Sequence, residues 1–125
     1  IQRNIRNKYY HNTSSSLFRE SLLEMKNFTV KMNGLQETTY GLAGLGDLYV
    51  SVAGGRNSKM GYYLGLGKKY QNIKRKEMKS ITTEGCELAL EIGPIIKKKF
   101  KRIQFPILFA LIDAICKNQK LKIKW

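Results

Sequence analysis

The chain has 125 residues, 42% of them hydrophobic, with only two prolines. This suits one globular domain able to bury a core and excludes a linker or a disordered tail. The formal charge of +14 fits either a lysine-rich surface or an anionic partner: nucleic acid, membrane lipid or a phosphorylated small molecule.

No apolar run reaches the roughly 18 residues that a membrane helix needs, and no signal-peptide pattern is present. The chain opens on Ile1 rather than Met, so it reads as a piece of something longer. Two cysteines, Cys86 and Cys116, are too few for a disulfide scaffold and read as small core residues in a reduced, cytoplasmic compartment. One histidine, His11, and two distant cysteines do not make a metal site.

Residues 1–16 are polar, without a clear apolar period, and read as a severed lead-in. Asn12 to Ser16 (NTSSS) offers N-cap candidates. Phe18, Leu22, Met25 and Met32 then recur on one helical face, and Asn33-Gly34 supplies a C-cap signal. A helix of about sixteen residues is expected there.

The glycine-rich stretch from Gly41 to Asn57, GLAGLGDLYVSVAGGRN, comes next. As a helix from Leu42, it puts Leu42, Leu45, Leu48, Tyr49 and Val52 on one arc and Gly44, Asp47 and Ser51 on the other. Asp47 and Ser51 are one turn apart and share a side. Interior glycines cost a helix roughly 1 kcal/mol each, so close approach by another element or a ligand is expected in return. Gly54-Gly55 breaks this helix, and a second starts after it with Met60, Tyr63 and Leu64 on a face, ending at Gly65 and Gly67.

A short basic helix is expected around Ile73 to Met78, then a longer one from Cys86 to Lys98 with Leu88, Ile92, Ile95 and Ile96 as its apolar residues. The run KKKFKR, Lys97 to Arg102, reads as a solvated helix end, where cations are favoured. The last helix opens at Pro106, a good first helical residue, with Ile107, Leu108, Leu111, Ile112 and Ile115 apolar. The basic tail KNQKLKIKW ends against the surface. No strand hairpin and no repeat is visible, so the expected class is all-α.

No GxGxxG follows a strand-like segment and there is no Walker lysine pattern, so this chain does not by itself read as a dinucleotide binder. It does offer a carboxylate and a hydroxyl on one helix side, Asp47 and Ser51, followed by Arg56 and Asn57 just ahead of another helix. A guanidinium fork and free helical N–H groups suit phosphate. Composition alone reads the same residues as caps and surface.

GLAGLGDL followed by GGRN resembles the signature of NAD-dependent glycerol-3-phosphate dehydrogenase. NTSSSLFRESLLEM is similar to that family's N-T-x-A-A-x-x-R-x-G-L-x-E-M helix, Glu84-Gly85 to its Glu-Gly or Gln-Gly pair, and FPILFALIDAIC to its F-P-L-F-x-x-x-Y-x-x-C segment. The resemblance runs from about Asn12 to Cys116. It implies a helical C-terminal domain of the 6-phosphogluconate dehydrogenase C-terminal-like type, completing the substrate site of an enzyme whose N-terminal Rossmann domain holds NAD.

By the same resemblance, Asp47 pairs with a catalytic lysine that would lie ahead of Ile1, and Ser51 stands where the family usually has Thr. Arg56 and Asn57 hold the substrate phosphate, with Arg56 also near the cofactor, and Glu84 lies near the nicotinamide end of NAD. The implied substrates are glycerol 3-phosphate and dihydroxyacetone phosphate. The implied assembly is a homodimer, with no nucleic acid and no membrane span. This piece alone is expected to be inactive, because it carries neither the lysine nor the cofactor fold. Ser14 to Ser16, Glu20 and Ser21 depart from the family's helix pattern. The alternative is a small basic helical nucleic-acid-binding domain, resting on the +14 charge and the Lys97 to Arg102 run.

Overall fold

A computed structural model describes residues 10–124. It contains α1 (His11–Lys31), α2 (Gln36–Tyr40), a π-helical turn (Leu42–Gly46), α3 (Asp47–Ala53), α4 (Arg56–Gly65), α5 (Tyr70–Arg75), α6 (Glu84–Lys99), a 3-10 turn (Arg102–Gln104) and α7 (Pro106–Cys116). The described residues contain no strand, as an all-α fold requires.

α1 starts earlier than its sequence signals suggest. Residues 11–16, read above as lead-in and caps, are helical, and the capping position falls to the extended Tyr10. Ser14 is buried, and its N–H donates to the Tyr10 carbonyl at 2.9 Å. Packing of this first turn overrides the preference of Ser and Asn for the cap. The rest of the former lead-in, residues 1–9, lies outside the described residues. The far end of α1 stops as expected. Asn33 takes a left-handed φ of 63°, Gly34 N–H reaches the Thr29 carbonyl at 2.8 Å, and Asn33 N–H reaches Val30 at 3.0 Å. Together these bonds form a Schellman stop.

α7 is the element around which the rest assembles. Pro106 opens it at the first helical position, and Ile107, Phe109, Ala110, Ile112, Ala114 and Ile115 are all buried. Burial on so many sides means α7 is a central helix rather than a surface one. One side joins Met60, Leu64, Tyr70, Ile73, Met78 and Cys86 in a core cluster. The other side joins Ile96 and Phe105, with Phe28 of α1 and Phe100 packed against them. The rings of Phe28, Phe100 and Phe105 meet pairwise, with centroids 5.2–5.8 Å apart.

α6 turns a different side to α7 than bulk suggests. Leu88 and Ile95 are exposed, at 53% and 63%. The residues turned inward are Cys86, Ala89, Ile92, Gly93 and Ile96, spaced by three and four. Small residues let the two helices come close. A Cβ on Gly93 would stand 3.0 Å from Ile112 and 3.1 Å from Cys116 Sγ. α5 lies three residues ahead of its expected position, and Met78 is fully buried from the turn behind it.

The helix expected from Leu42 is two pieces. Gly46 N–H bonds Gly41 carbonyl across five residues at 3.2 Å, so the first turn is wide and only Asp47–Ala53 is regular α-helix. The expected close approach falls at Gly44, where an added Cβ would stand 2.0 Å from the Thr39 carbonyl oxygen of α2. The apolar arc is not a buried face. Leu42 is 91% and Tyr49 70% exposed, Leu45, Leu48 and Val52 are half-buried, and no residue of α3 is buried. The wide turn shifts the residues before Asp47 out of phase with those after it.

Candidate functional site

Gly54 and Gly55 separate α3 from α4. Gly54 is fully extended, and Gly55 has φ 107°, a left-handed value that a side chain would strain. The break places Arg56 and Asn57 in the first turn of α4, where backbone N–H groups lack helical partners. Ser58 Oγ donates to the Val52 carbonyl at 3.5 Å, tying this turn back to α3.

The first turn of α6 meets the first turn of α4. Arg56 Nη2 is paired with Glu84 Oε1, and Gly85 N–H donates to Asn57 Oδ1 at 3.3 Å. A Cβ on Gly85 would lie 3.1 Å from that oxygen, so glycine keeps the contact open. Three of the five residues singled out from the sequence, Arg56, Asn57 and Glu84, are therefore brought together. Their neighbour Gly85, quoted for the motif alone, is a fourth member.

This cluster is open to exchange. Arg56 and Glu84 are each 57% exposed, and an ion pair in that setting contributes about 0–1 kcal/mol. A dianion could draw Arg56 away at small cost. Asn57 uses its carbonyl oxygen on Gly85, which leaves the two amide N–H donors for another acceptor.

Asp47 and Ser51 lie across the glycine break on α3, one turn apart, with Asp47 exposed and Ser51 half-buried. No hydrogen bond or ion pair among the described residues engages the Asp47 carboxylate. The described residues form no strand–turn–helix cradle for a dinucleotide.

A concavity of about 570 Å³ lies elsewhere, between the start of α7 and the tail, lined in part by Arg102, Ile103, Asp113, Lys120 and Lys122. None of the five site residues lines it. Its acid, Asp113, went unremarked in the sequence. Lys97 and Arg102 both bind it, and Lys117 stands 3.6 Å away. Burial alone would raise the Asp113 carboxyl, but the bonds from Lys97 and Arg102 outweigh it and bring the group down to about 2. The Lys97 to Arg102 run is thus partly an internal ion-pair network and only partly a solvated helix end. The signal available was a lone acid within an apolar helix, eleven residues beyond a cluster of cations. Cys86 is buried, Cys116 half-buried, and both are free thiols. Burial raises each above its ordinary value, which suits core residues rather than nucleophiles. Among the described residues no helix is long and apolar enough to cross a membrane, and no cluster could hold a metal ion.

Residues 5–124 match the family described as NAD-dependent glycerol-3-phosphate dehydrogenase C-terminus. A glycerol-3-phosphate dehydrogenase [NAD(P)+] of Lactobacillus delbrueckii subsp. bulgaricus is 31% identical over 109 residues, covering 86% of this chain and 31% of the relative. One of Zymomonas mobilis is 29% identical over 110 residues, with the same coverage. One of Fusobacterium nucleatum is 44% identical over 62 residues, covering 48% of this chain and 18% of the relative. No solved structure matches. This chain spans about a third of the length of the first two relatives. With the match reaching across nearly every described element, the chain belongs to the family of NAD-dependent glycerol-3-phosphate dehydrogenase C-terminal domains.

Proposed function

We propose that this domain forms the substrate side of an enzyme that interconverts sn-glycerol 3-phosphate and dihydroxyacetone phosphate. The observation that carries the reading is the Arg56, Asn57, Glu84 and Gly85 cluster, which joins two helix starts directly behind the Gly54-Gly55 break. NAD, held mainly by a Rossmann domain outside this chain, would supply or accept the hydride.

The residues of this chain have separate tasks. Arg56 exchanges Glu84 for the substrate phosphate, and the Asn57 amide donates beside it. Holding this remote dianion places the three-carbon chain and contributes to rate as well as binding. Asp47 presents a free carboxylate to the cation of a catalytic lysine from outside these residues, with the Ser51 hydroxyl one turn along for a substrate oxygen. Glu84 and Arg56 face the nicotinamide end of the cofactor. The domain alone is inactive in this reading, and the working assembly is a cytoplasmic homodimer. The free thiols of Cys86 and Cys116 suit that reduced compartment.

The test is a chimaera in which this chain replaces the segment that it matches in the Lactobacillus delbrueckii relative. Arg56→Ala should lower kcat/KM for dihydroxyacetone phosphate by about tenfold or more, since a lost charge-assisted contact costs at least ~1.5 kcal/mol. A value within about threefold of the parent chimaera would remove the phosphate role.

A further inference from the structure

We propose that the concavity between α7 and the tail is a second anion site, separate from the Arg56 cluster, and that it takes a small organic phosphate with an apolar or aromatic body. The site requires nothing of the proposed reaction.

Its volume of about 570 Å³ is that of a small-molecule site. One wall is a single side of α7, because Pro106, Ala110 and Asp113 are spaced by four and three. Ile103, 88% exposed, extends that wall from the 3-10 turn. The tail forms the other wall. Lys120, Lys122 and Lys124 line the concavity, while Leu121 packs against the core cluster. This is the alternation of extended chain, and it turns three ammonium groups to one side. The start of the tail is fixed by the fold: Asn118, at φ 50°, accepts the Gln71 N–H through Oδ1 at 3.0 Å.

Charge selects the ligand. Arg102 and the three lysines line the site with one acid, Asp113, which leaves a surplus of three positive charges. Asp113 is already oversupplied, with Lys97 and Arg102 bound to it and Lys117 at 3.6 Å. Lys120, Lys122 and Lys124 have no ion pair or hydrogen bond among the described residues. A phosphate dianion fits that surplus. It can also draw on Arg102 without orphaning Asp113, because Lys97 stays as the less exposed partner. Ile103, Pro106 and Ala110 bring no polar side-chain group, so they offer apolar surface to the rest of the ligand. Cations and apolar residues walled around one concavity suit a small molecule rather than a duplex, whose phosphates need an open basic face.

Amide chemical shifts of this chain, titrated at low salt with phenyl phosphate, inorganic phosphate or phenol, test this. Phenyl phosphate should shift Ile103, Ala110 and Lys122 to saturation and bind there about tenfold more tightly than inorganic phosphate, as burial of part of a ring implies. Phenol should not saturate. Lys120→Gln with Lys122→Gln should weaken phenyl phosphate several-fold and leave the melting temperature unchanged, since both residues are exposed. Ile103→Ser should bring phenyl phosphate down to the level of inorganic phosphate. Arg56→Ala should leave the shifts in the concavity as they were. Phenyl phosphate that shifts only Asn57 and Gly85 overturns the second site and leaves the Arg56 cluster standing. Equal binding of phenyl phosphate and inorganic phosphate overturns the proposal, as do shifts that survive the double lysine substitution.

Discussion

The Glu24 carboxylate of α1 accepts hydrogen bonds from the backbone N–H groups of Ile107, at 2.7 Å, and Leu108, at 2.9 Å. It caps the central helix from outside, and Pro106, which has no N–H to satisfy, stands just ahead of both donors. Glu24 belongs to the LEM part of the family-like helix pattern and Pro106 to the FP part. These motif residues therefore have a structural link with each other, separate from the site cluster.

Glu24→Ala should destabilise the domain by about 2 kcal/mol, because it leaves two partly buried N–H groups at a helix start without an acceptor. Glu24→Gln keeps one acceptor oxygen and should cost less. Burial raises the Glu24 carboxyl above its ordinary value, against the opposing pull of the two N–H bonds. A raised carboxyl favours folding in its protonated form, so its contribution is present below the ordinary glutamate value and is lost as pH rises through the raised one. Urea unfolding between pH 4 and 7 should show the native chain losing stability relative to Glu24→Gln as pH rises. A constant difference across that range refutes the assignment.

Asp113 titrates with the opposite sign. Its carboxyl lies at about 2, against 3.8 in the unfolded chain, so its contribution is present above 3.8 and is lost as pH falls through about 2. The shift corresponds to something on the order of 2 kcal/mol at neutral pH. Asp113→Asn should lose that amount at pH 7 and should converge with the native chain in acid. Because Arg102 is half-exposed while Lys97 is not, molar salt should remove only part of the difference. If salt removes all of it, the network is a surface feature.

Gly44 has no room for any side chain. The 2.0 Å approach to the Thr39 carbonyl is a backbone contact, so Gly44→Ala must push α2 and the π-helical turn apart. A loss of about 3 kcal/mol or more is expected. Gly61 gives the opposite case. It lies inside α4 with nothing within 4 Å of an added Cβ, so Gly61→Ala should stabilise by about 0.5–1 kcal/mol through helix propensity alone. Thermal unfolding of the two variants should move in opposite directions. Equal shifts would show that Gly44 is not a packing glycine.

The sequence disclosed these features unequally, and the reason is distance along the chain. The stop of α1 at Asn33, the break at Gly54-Gly55 and the start of α7 at Pro106 are local backbone matters, and local residues state them. On α6 the sequence shows which residues are apolar but not which side turns inward: Ile92 and Ile96 pack on the core, whereas Leu88 and Ile95 are exposed. Cys86, Ala89 and Gly93 face inward because α7 comes too close for leucine. The Glu24 cap joins residues 83 apart, and nothing near Glu24 points to it. The site cluster stood between. Its members were legible as motif residues, but the Asn57 to Gly85 bond depends on how two helices meet, which periodicity does not contain.

That bond separates two tasks of Asn57, and substitutions can pull them apart. Asn57→Asp keeps an oxygen for Gly85 N–H but exchanges the amide donors for a negative charge. Asn57→Ala removes both. In the chimaera, both should weaken binding of inorganic phosphate, while only Asn57→Ala should loosen α4 from α6 and lower the melting temperature. Glu84→Gln isolates the other arm of the cluster. Its exposed pair with Arg56 contributes little to stability, so the melting temperature should stay put. With the competing carboxylate gone, phosphate affinity should rise several-fold. Calorimetric titration with inorganic phosphate reads both effects. An affinity that does not respond to Glu84→Gln would mean that Arg56 is not the group the anion has to win.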